Sequence, residues 1–297
     1  MNTNTVILLI TILLLSLLAC RTGNRERLIQ NEAYEINIAK NQTSVLILFP
    51  CYPCDMEHTK REANFLKGIG DQGITTILLN YNRKLFLTET EKINLSKALQ
   101  DIFAINQIKS NNVFLGGFSS GGNIALLIAD YIKSHNTKLN INGVFSVDAP
   151  VDLEQLYYNA KNDIALNVNE GAKSEGEFLV NLLEREVGDP AAKTNSYKKY
   201  SPFLLSQDFL DNLLNHNKYK IRLYTEPAPE WHQKHRGREY QHTNSWMNER
   251  FYEALIQHGS KSCELIKTEN KGIRANGDIH PHSWSIVEQN SLLEWMK

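Results

Sequence analysis

Cysteine is scarce in this chain: there are four in 297 residues, too few to hold a fold of this size together by disulfides. An excess of charge is also missing, with 32 basic against 33 acidic side chains and a formal net charge of −1. Such a balance gives no positive field on the scale of a polyanion and argues against nucleic acid as a partner. Long apolar runs are lacking too. The one that matters, Val6 to Ala19, has 14 residues, whereas a spanning helix needs roughly 20, which excludes a polytopic membrane protein. Internal repeats and low-complexity tracts are absent. What remains, 42% hydrophobic and 22% charged residues, is the composition of an ordinary folded protein of one large domain or two small ones.

The apolar residues are arranged in two alternating patterns. Ala33 to Ala39 alternates in polarity like a half-exposed strand, and Ser44 to Phe49 reads as a fully buried one. A helix is expected over Glu57 to Ile69, a buried strand over Ile74 to Asn80, and a longer helix over Thr88 to Ile105, opened by a Thr-x-x-Glu cap. Strand Asn112 to Gly117, helix Asn123 to Ile132 and strand Gly143 to Val147 continue the alternation. Repeated strand–helix–strand units imply an α/β fold, a mostly parallel sheet flanked by helices on both faces. From Val151 to Asn217 the pattern lapses into polar, helix-prone sequence, read as an insertion over the sheet and a candidate lid. It resumes with strand Tyr219 to Tyr224, helix Trp246 to His258, strand Cys263 to Lys267 and helix Ser283 to Met296.

The N-terminus reads as an address. Val6 to Leu18 has the length of a signal-peptide apolar region, and Leu17-Leu18-Ala19-Cys20 resembles the lipobox of bacterial lipoproteins. The resemblance implies cleavage after residue 19, acylation of Cys20, a polar tether over residues 20–32, and a lipid that holds the protein to a membrane on its periplasmic or cell-surface side. Met1 to Thr5 departs from the usual pattern by carrying no Lys or Arg. With Cys20 lipidated, Cys51, Cys54 and Cys263 remain, an odd number that cannot all pair within the chain.

Gly117-Phe118-Ser119-Ser120-Gly121 fits G-x-S-x-G and stands between a buried strand and an apolar helix. The glycines leave room for neighbouring backbone in a tight turn, and the turn exposes the Ser119 hydroxyl as a nucleophile. The helix that follows directs its free N–H groups and positive dipole end at developing negative charge. No Lys lies in Gly116 to Gly122, which excludes a Walker loop. A serine hydroxyl needs a base, and the tail supplies His280 and His282. His282, next to Ser283 and Trp284 at a loop-to-helix junction, is the better placed of the two; His280 could shape the loop.

Taken together, strand, G-F-S-S-G turn, helix, insertion, acid region and terminal H-P-H-S-W resemble the α/β-hydrolase superfamily, its serine esterases and lipases among them, over about Ser44 to Lys297. The resemblance implies hydrolysis of a small-molecule carboxylic ester through an acyl-enzyme, with a Ser-His-acid triad and no cofactor. The superfamily's chain order of serine, acid, histidine puts the acid after strand Tyr219 to Tyr224. No aspartate follows that strand, so Glu230 is expected first and Glu226 second. Asp148, just past strand Gly143 to Val147, is a third candidate, because some hydrolases draw the acid from there. The oxyanion donors implied are the backbone N–H of Ser120 and one from the loop after strand Ser44 to Phe49, where Pro50 and Pro53 cannot donate; that leaves Cys51 or Tyr52, and Tyr52 is taken.

Two other chemistries have some support. Cys51-Tyr52-Pro53-Cys54 between a buried strand and a helix resembles a thioredoxin-type redox site; otherwise those cysteines form a loop-stiffening bridge or stay free. Glu230, His232, His235 and His242 are potential zinc ligands by residue type, but their spacing fits no closed site. They read instead as loop residues around an active-site mouth, where Trp231, Arg236 and Tyr240 could touch substrate. A non-catalytic binding lipoprotein on a hydrolase scaffold is the third class.

Overall fold

The computed structural model describes residues 27–81 and 83–297. The expected leader over residues 1–19 and the lipidated Cys20 lie outside the described residues. Eight strands form one sheet in the order β1-β2-β4-β3-β5-β6-β7-β8. β1 (Arg27–Gln30) and β2 (Tyr34–Ile38) are an antiparallel hairpin, and β2 also runs antiparallel to β4 (Ile74–Leu79). β1 therefore occupies part of the span expected as a tether. Its side chains are mostly exposed, and without a hydrophobic alternation it looks like linker in sequence. From β4 onward every neighbour is parallel: β3 (Ser44–Phe49), β5 (Val113–Phe118), β6 (Ile141–Val147), β7 (Lys220–Thr225) and β8 (Cys263–Lys267).

The central strands are buried along their whole length because helices cover both faces. Successive side chains of β3 go to opposite sides, Val45, Ile47 and Phe49 to one core and Leu46 and Leu48 to the other. The first core is closed by α2 (Glu89–Asn106), α3 (Ser120–Ser134) and α8 (Asn244–Gln257), which contribute Leu99, Leu126 and Phe251. The second is closed by α1 (Met56–Glu62) and α9 (Gln289–Trp295), with Phe65 and Trp284 between them. α2 starts at the capping box read from sequence, Thr88 and Glu91 each bonding the other's backbone N–H.

Two helices are shorter than their apolar spacing suggests. α1 stops at Ala63, which leaves helical geometry (φ −84°, ψ 74°). Phe65 then turns into the core, 6.1 Å from the Phe145 ring and 5.7 Å from Trp284. At the C-terminus a 3-10 turn over Trp284–Ile286 precedes α9, so the last helix begins at Gln289 and not at Ser283.

Between β6 and β7 lies the helical insertion: α4 (Leu153–Leu166), α5 (Glu170–Glu186) and α6 (Pro190–Tyr200). It has a small core of its own, centred on Leu153, Tyr157, Leu183 and Tyr197. Charged contacts fasten it to the segment after β7. Arg238 Nε donates to the buried Asp163 of α4 at 2.6 Å, and Arg236 Nη1, on α7 (Pro229–Arg236), donates to Glu175 of α5 at 2.5 Å.

Candidate active site

Ser119 stands at the junction of β5 and α3 with φ 54° and ψ −127°, a left-handed conformation that a side chain adopts only when the surrounding structure forces it. Its N–H donates to Val147 O at 2.8 Å and its carbonyl accepts from Gly122 N at 2.9 Å. The flanking glycines are sterically required. A Cβ on Gly117 would lie 2.0 Å from Gly121 O, and one on Gly121 would lie 2.4 Å from Phe49 O and 2.5 Å from Pro50 O. The helix is thereby drawn against the end of β3. No side chain caps α3 at Ser119, so the N–H groups of Ser120 and Gly121 stay available for an anion. Ser120 and Tyr52 both line the cleft in front of Ser119.

His282 reaches the same cleft from a loop after β8. A bridge between Ile273 and Ile279 shapes that loop, and His280 N donates to Gly272 O at 2.8 Å. The imidazole lies 4.4 Å, centroid to centroid, from the Phe118 ring. Its Nδ1 is 2.6 Å from Oδ2 of Asp148, which leaves Nε2 as the unengaged ring nitrogen. Asp148 is 4% exposed. Its N–H donates to Tyr224 O at 2.8 Å, and its Oδ1 accepts from Thr225 Oγ1 at 2.9 Å. Asn244 Nδ2 holds the Asp148 carbonyl at 2.9 Å. Each end of the carboxylate thus has one partner, and the backbone beneath it is pinned.

The acid expected after β7 is not the one at the histidine. Glu226 is buried at the tip of β7, but its carboxylate accepts from Lys271 N at 2.8 Å, Gly272 N at 3.1 Å and Thr268 Oγ1 at 2.9 Å. It organises the start of the histidine loop. Glu230 is exposed on α7. The third candidate, Asp148, makes the contact, and strand order explains why. β6 lies beside the serine strand β5 and β7 lies one place further out, so the residue after β6 is nearer the cleft. The signal was an aspartate directly after a buried strand.

His280 packs against Trp231, with ring centroids 4.5 Å apart. Burial, then the positive charge of Arg274, pushes its pKa down to about 2. Its Nδ1 accepts from His282 N at 3.2 Å, so it shapes the loop. Sequence reading gave His232 no role beyond the cleft mouth. It is 8% exposed on α7, lines the cleft, and is held neutral by burial, its pKa lowered to about 4. Glu230, His232, His235 and His242 do not converge. Among the described residues the convergent donor set is Cys51, Cys54 and His58, and its two thiols are joined as a disulfide. That disulfide closes the loop carrying Tyr52, on a sheet far larger than a thioredoxin-like fold provides.

Two cavities meet at Ser119. One, of about 360 Å³, has apolar walls from Leu85, Leu156, Phe178 and Leu179 and includes Asp148 and His282. The other, of about 640 Å³, has walls of mixed polarity and runs from Ser119 and His282 past Cys54 to Arg61 and Arg274.

No protein-family model matches the sequence, and no curated protein matches it. Solved structures do resemble it. An esterase from the bacterial hormone-sensitive lipase family superposes with TM-score 0.55 at 13% identity, over 92% of this chain and 82% of that one. An arylesterase gives TM-score 0.50 at 15% identity, over 91% and 80% of the two chains. Mycobacterium tuberculosis MPT51 gives 0.55 at 12% identity, over 92% and 98%. At such identities the likeness concerns architecture alone: this chain has the α/β-hydrolase fold, a mostly parallel sheet flanked by helices with a helical insertion.

Proposed function

We propose that the protein is a serine hydrolase that cleaves carboxylic esters through an acyl-enzyme. The observation that carries this reading is the pairing of His282 Nδ1 with a buried aspartate, in a cleft that also holds a serine on a strained strand-to-helix turn. Asp148 fixes the imidazole tautomer and leaves Nε2 to act as base. His282 takes the Ser119 proton as Oγ attacks the ester carbonyl. The N–H groups of Ser120 and Tyr52 receive the oxyanion. His282 returns the proton to the departing alcohol, then activates water to release the acyl group. The steps need no cofactor.

The hydrolases among the structural neighbours are esterases by description, which agrees with this reading. A panel of p-nitrophenyl esters of increasing acyl length tests it. Turnover is expected and should fall by at least about 10³-fold in Ser119→Ala with an unchanged circular-dichroism spectrum. Retained turnover in that variant rejects the mechanism. Absence of hydrolysis across esters, thioesters and amides favours a binding protein on a hydrolase scaffold. We also propose that residues 1–19 are cleaved and that lipid on Cys20 anchors the enzyme to a membrane. Incorporation of an alkyne-palmitate label, lost in Cys20→Ala, is the expected result.

A further inference from the structure

The larger cavity on the second side of Ser119 carries charged side chains that the proposed mechanism does not use. Arg61 lies in the last turn of α1, its side chain 58% exposed. Arg274 stands next to the Ile273–Ile279 bridge, opposite Asp278, exposed, and both line the cavity together with His58, Glu62 and Asn276. The two carboxylates at the cavity already have partners. Glu62 accepts from Ala275 N at 2.8 Å and from Arg61 Nε at 3.3 Å. Glu175 is engaged by Arg236 at 2.5 Å. Asp278 is turned to Asn276 Nδ2 at 2.7 Å. The terminal nitrogens of Arg61 and the whole guanidinium of Arg274 have no ion-pair partner among the described residues. His58 feels charges of both signs: burial lowers its pKa most, Glu62 and Asp55 raise it, and Arg61 and Arg274 lower it.

We propose that this cavity holds one arm of the ester substrate and that the arm ends in an anionic group, a carboxylate or a phosphate, gripped between Arg61 and Arg274. The apolar cavity then takes the other arm, and Ser119 lies between them. The assignment rests on the serine-hydrolase reading above and gives it a substrate class. Guanidinium groups suit such a partner because their planar donors match two oxyanion oxygens at once. Exposure limits the effect: salt and water screen rim charges, so discrimination of about five- to twenty-fold is expected and not the thousands of a buried site.

The test compares kcat/KM of the purified full chain for two substrate pairs. In the first the charge is on the leaving arm, 4-carboxyphenyl butyrate against its methyl ester. In the second it is on the acyl arm, the 4-nitrophenyl half-ester of glutaric acid against its methyl ester. A third comparison, 4-phosphonophenyl butyrate against the carboxylate, distinguishes the two anion classes. One pair should show the charged substrate ahead at least fivefold at about 20 mM salt, and the advantage should shrink at about 500 mM. Arg61→Gln with Arg274→Gln should cut the charged-to-neutral ratio toward one, with thermal melting verifying the fold. No preference in either pair, or a preference untouched by salt and by both substitutions, overturns the proposal while the serine-hydrolase reading stands. No Ser119-dependent hydrolysis of any of these esters removes both.

Discussion

Asp148 Oδ2 and His282 Nδ1 lie 2.6 Å apart although 134 residues separate them in the chain. The contact joins the tip of β6 to the C-terminal loop and leaves Nε2 unengaged in a residue that lines the same cleft as Ser119. Asp148→Asn should keep the shape and lose the tautomer control, lowering kcat by about 10³- to 10⁴-fold with KM little changed. Glu230→Gln, on an exposed helix turn, should leave kcat/KM within about twofold. Equal effects from the two substitutions in steady-state kinetics would contradict the assignment.

Glu226 has a different task. Its removal strands the buried N–H groups of Lys271 and Gly272, so Glu226→Ala should lose about 2–3 kcal/mol of stability in urea titration. Because those groups begin the loop that carries His282, some loss of kcat should accompany it, and raising the stabilising osmolyte concentration should recover part.

The serine turn tolerates no added methyl. Gly121→Ala would push a carbon to 2.4 Å from Phe49 O, against backbone that cannot yield. The variant should be destabilised by more than about 3 kcal/mol or fail to accumulate folded. Normal melting of Gly121→Ala would mean that α3 does not press on β3 as described.

Much of this arrangement was legible in the sequence, and the exceptions have physical causes. The buried strands, the Thr88–Glu91 cap and the G-F-S-S-G turn are local patterns, in which spacing alone fixes geometry. The acid is not local. Which of Asp148, Glu226 and Glu230 meets His282 depends on strand order, and Glu226 is as buried as a catalytic carboxylate while bonding only backbone and Thr268. The early stop of α1 was hidden for a similar reason: Phe65 leaves a helix-compatible pattern to fill space beside Phe145. β1 was missed because its exposed side chains carry no periodic signal.

The Cys51–Cys54 disulfide closes the loop that presents Tyr52. Cys51→Ser with Cys54→Ser should lower kcat by about two- to tenfold, less than the 10²- to 10³-fold of deleting an oxyanion donor outright. Ester hydrolysis that disappears with the cysteines would point to redox participation; rates identical to the parent would mean that the bridge does not support the donor.

His232 makes stability depend on pH in a definite direction. Its folded pKa of about 4 lies below the ordinary 6.5, so the unfolded chain takes up the proton first as the medium acidifies. The contribution is complete above about pH 6.5 and is withdrawn toward pH 4. Asp152, raised by burial to about 6, works in the opposite sense over much of that range, so the informative quantity is a difference. Relative to His232→Gln, the parent should lose about 1–2 kcal/mol between pH 7 and pH 5 in urea titrations. A constant difference would show that His232 titrates normally.

The central claim is that the strained serine beside the paired histidine is a working nucleophile. Incubation of the full chain with a fluorophosphonate probe, followed by peptide mass spectrometry, addresses it directly. The account predicts one label per chain, on the peptide bearing Ser119, abolished in Ser119→Ala and strongly slowed in His282→Ala and Asp148→Asn. A folded protein that stays unlabelled, or is labelled at another residue with Ser119 intact, would contradict it.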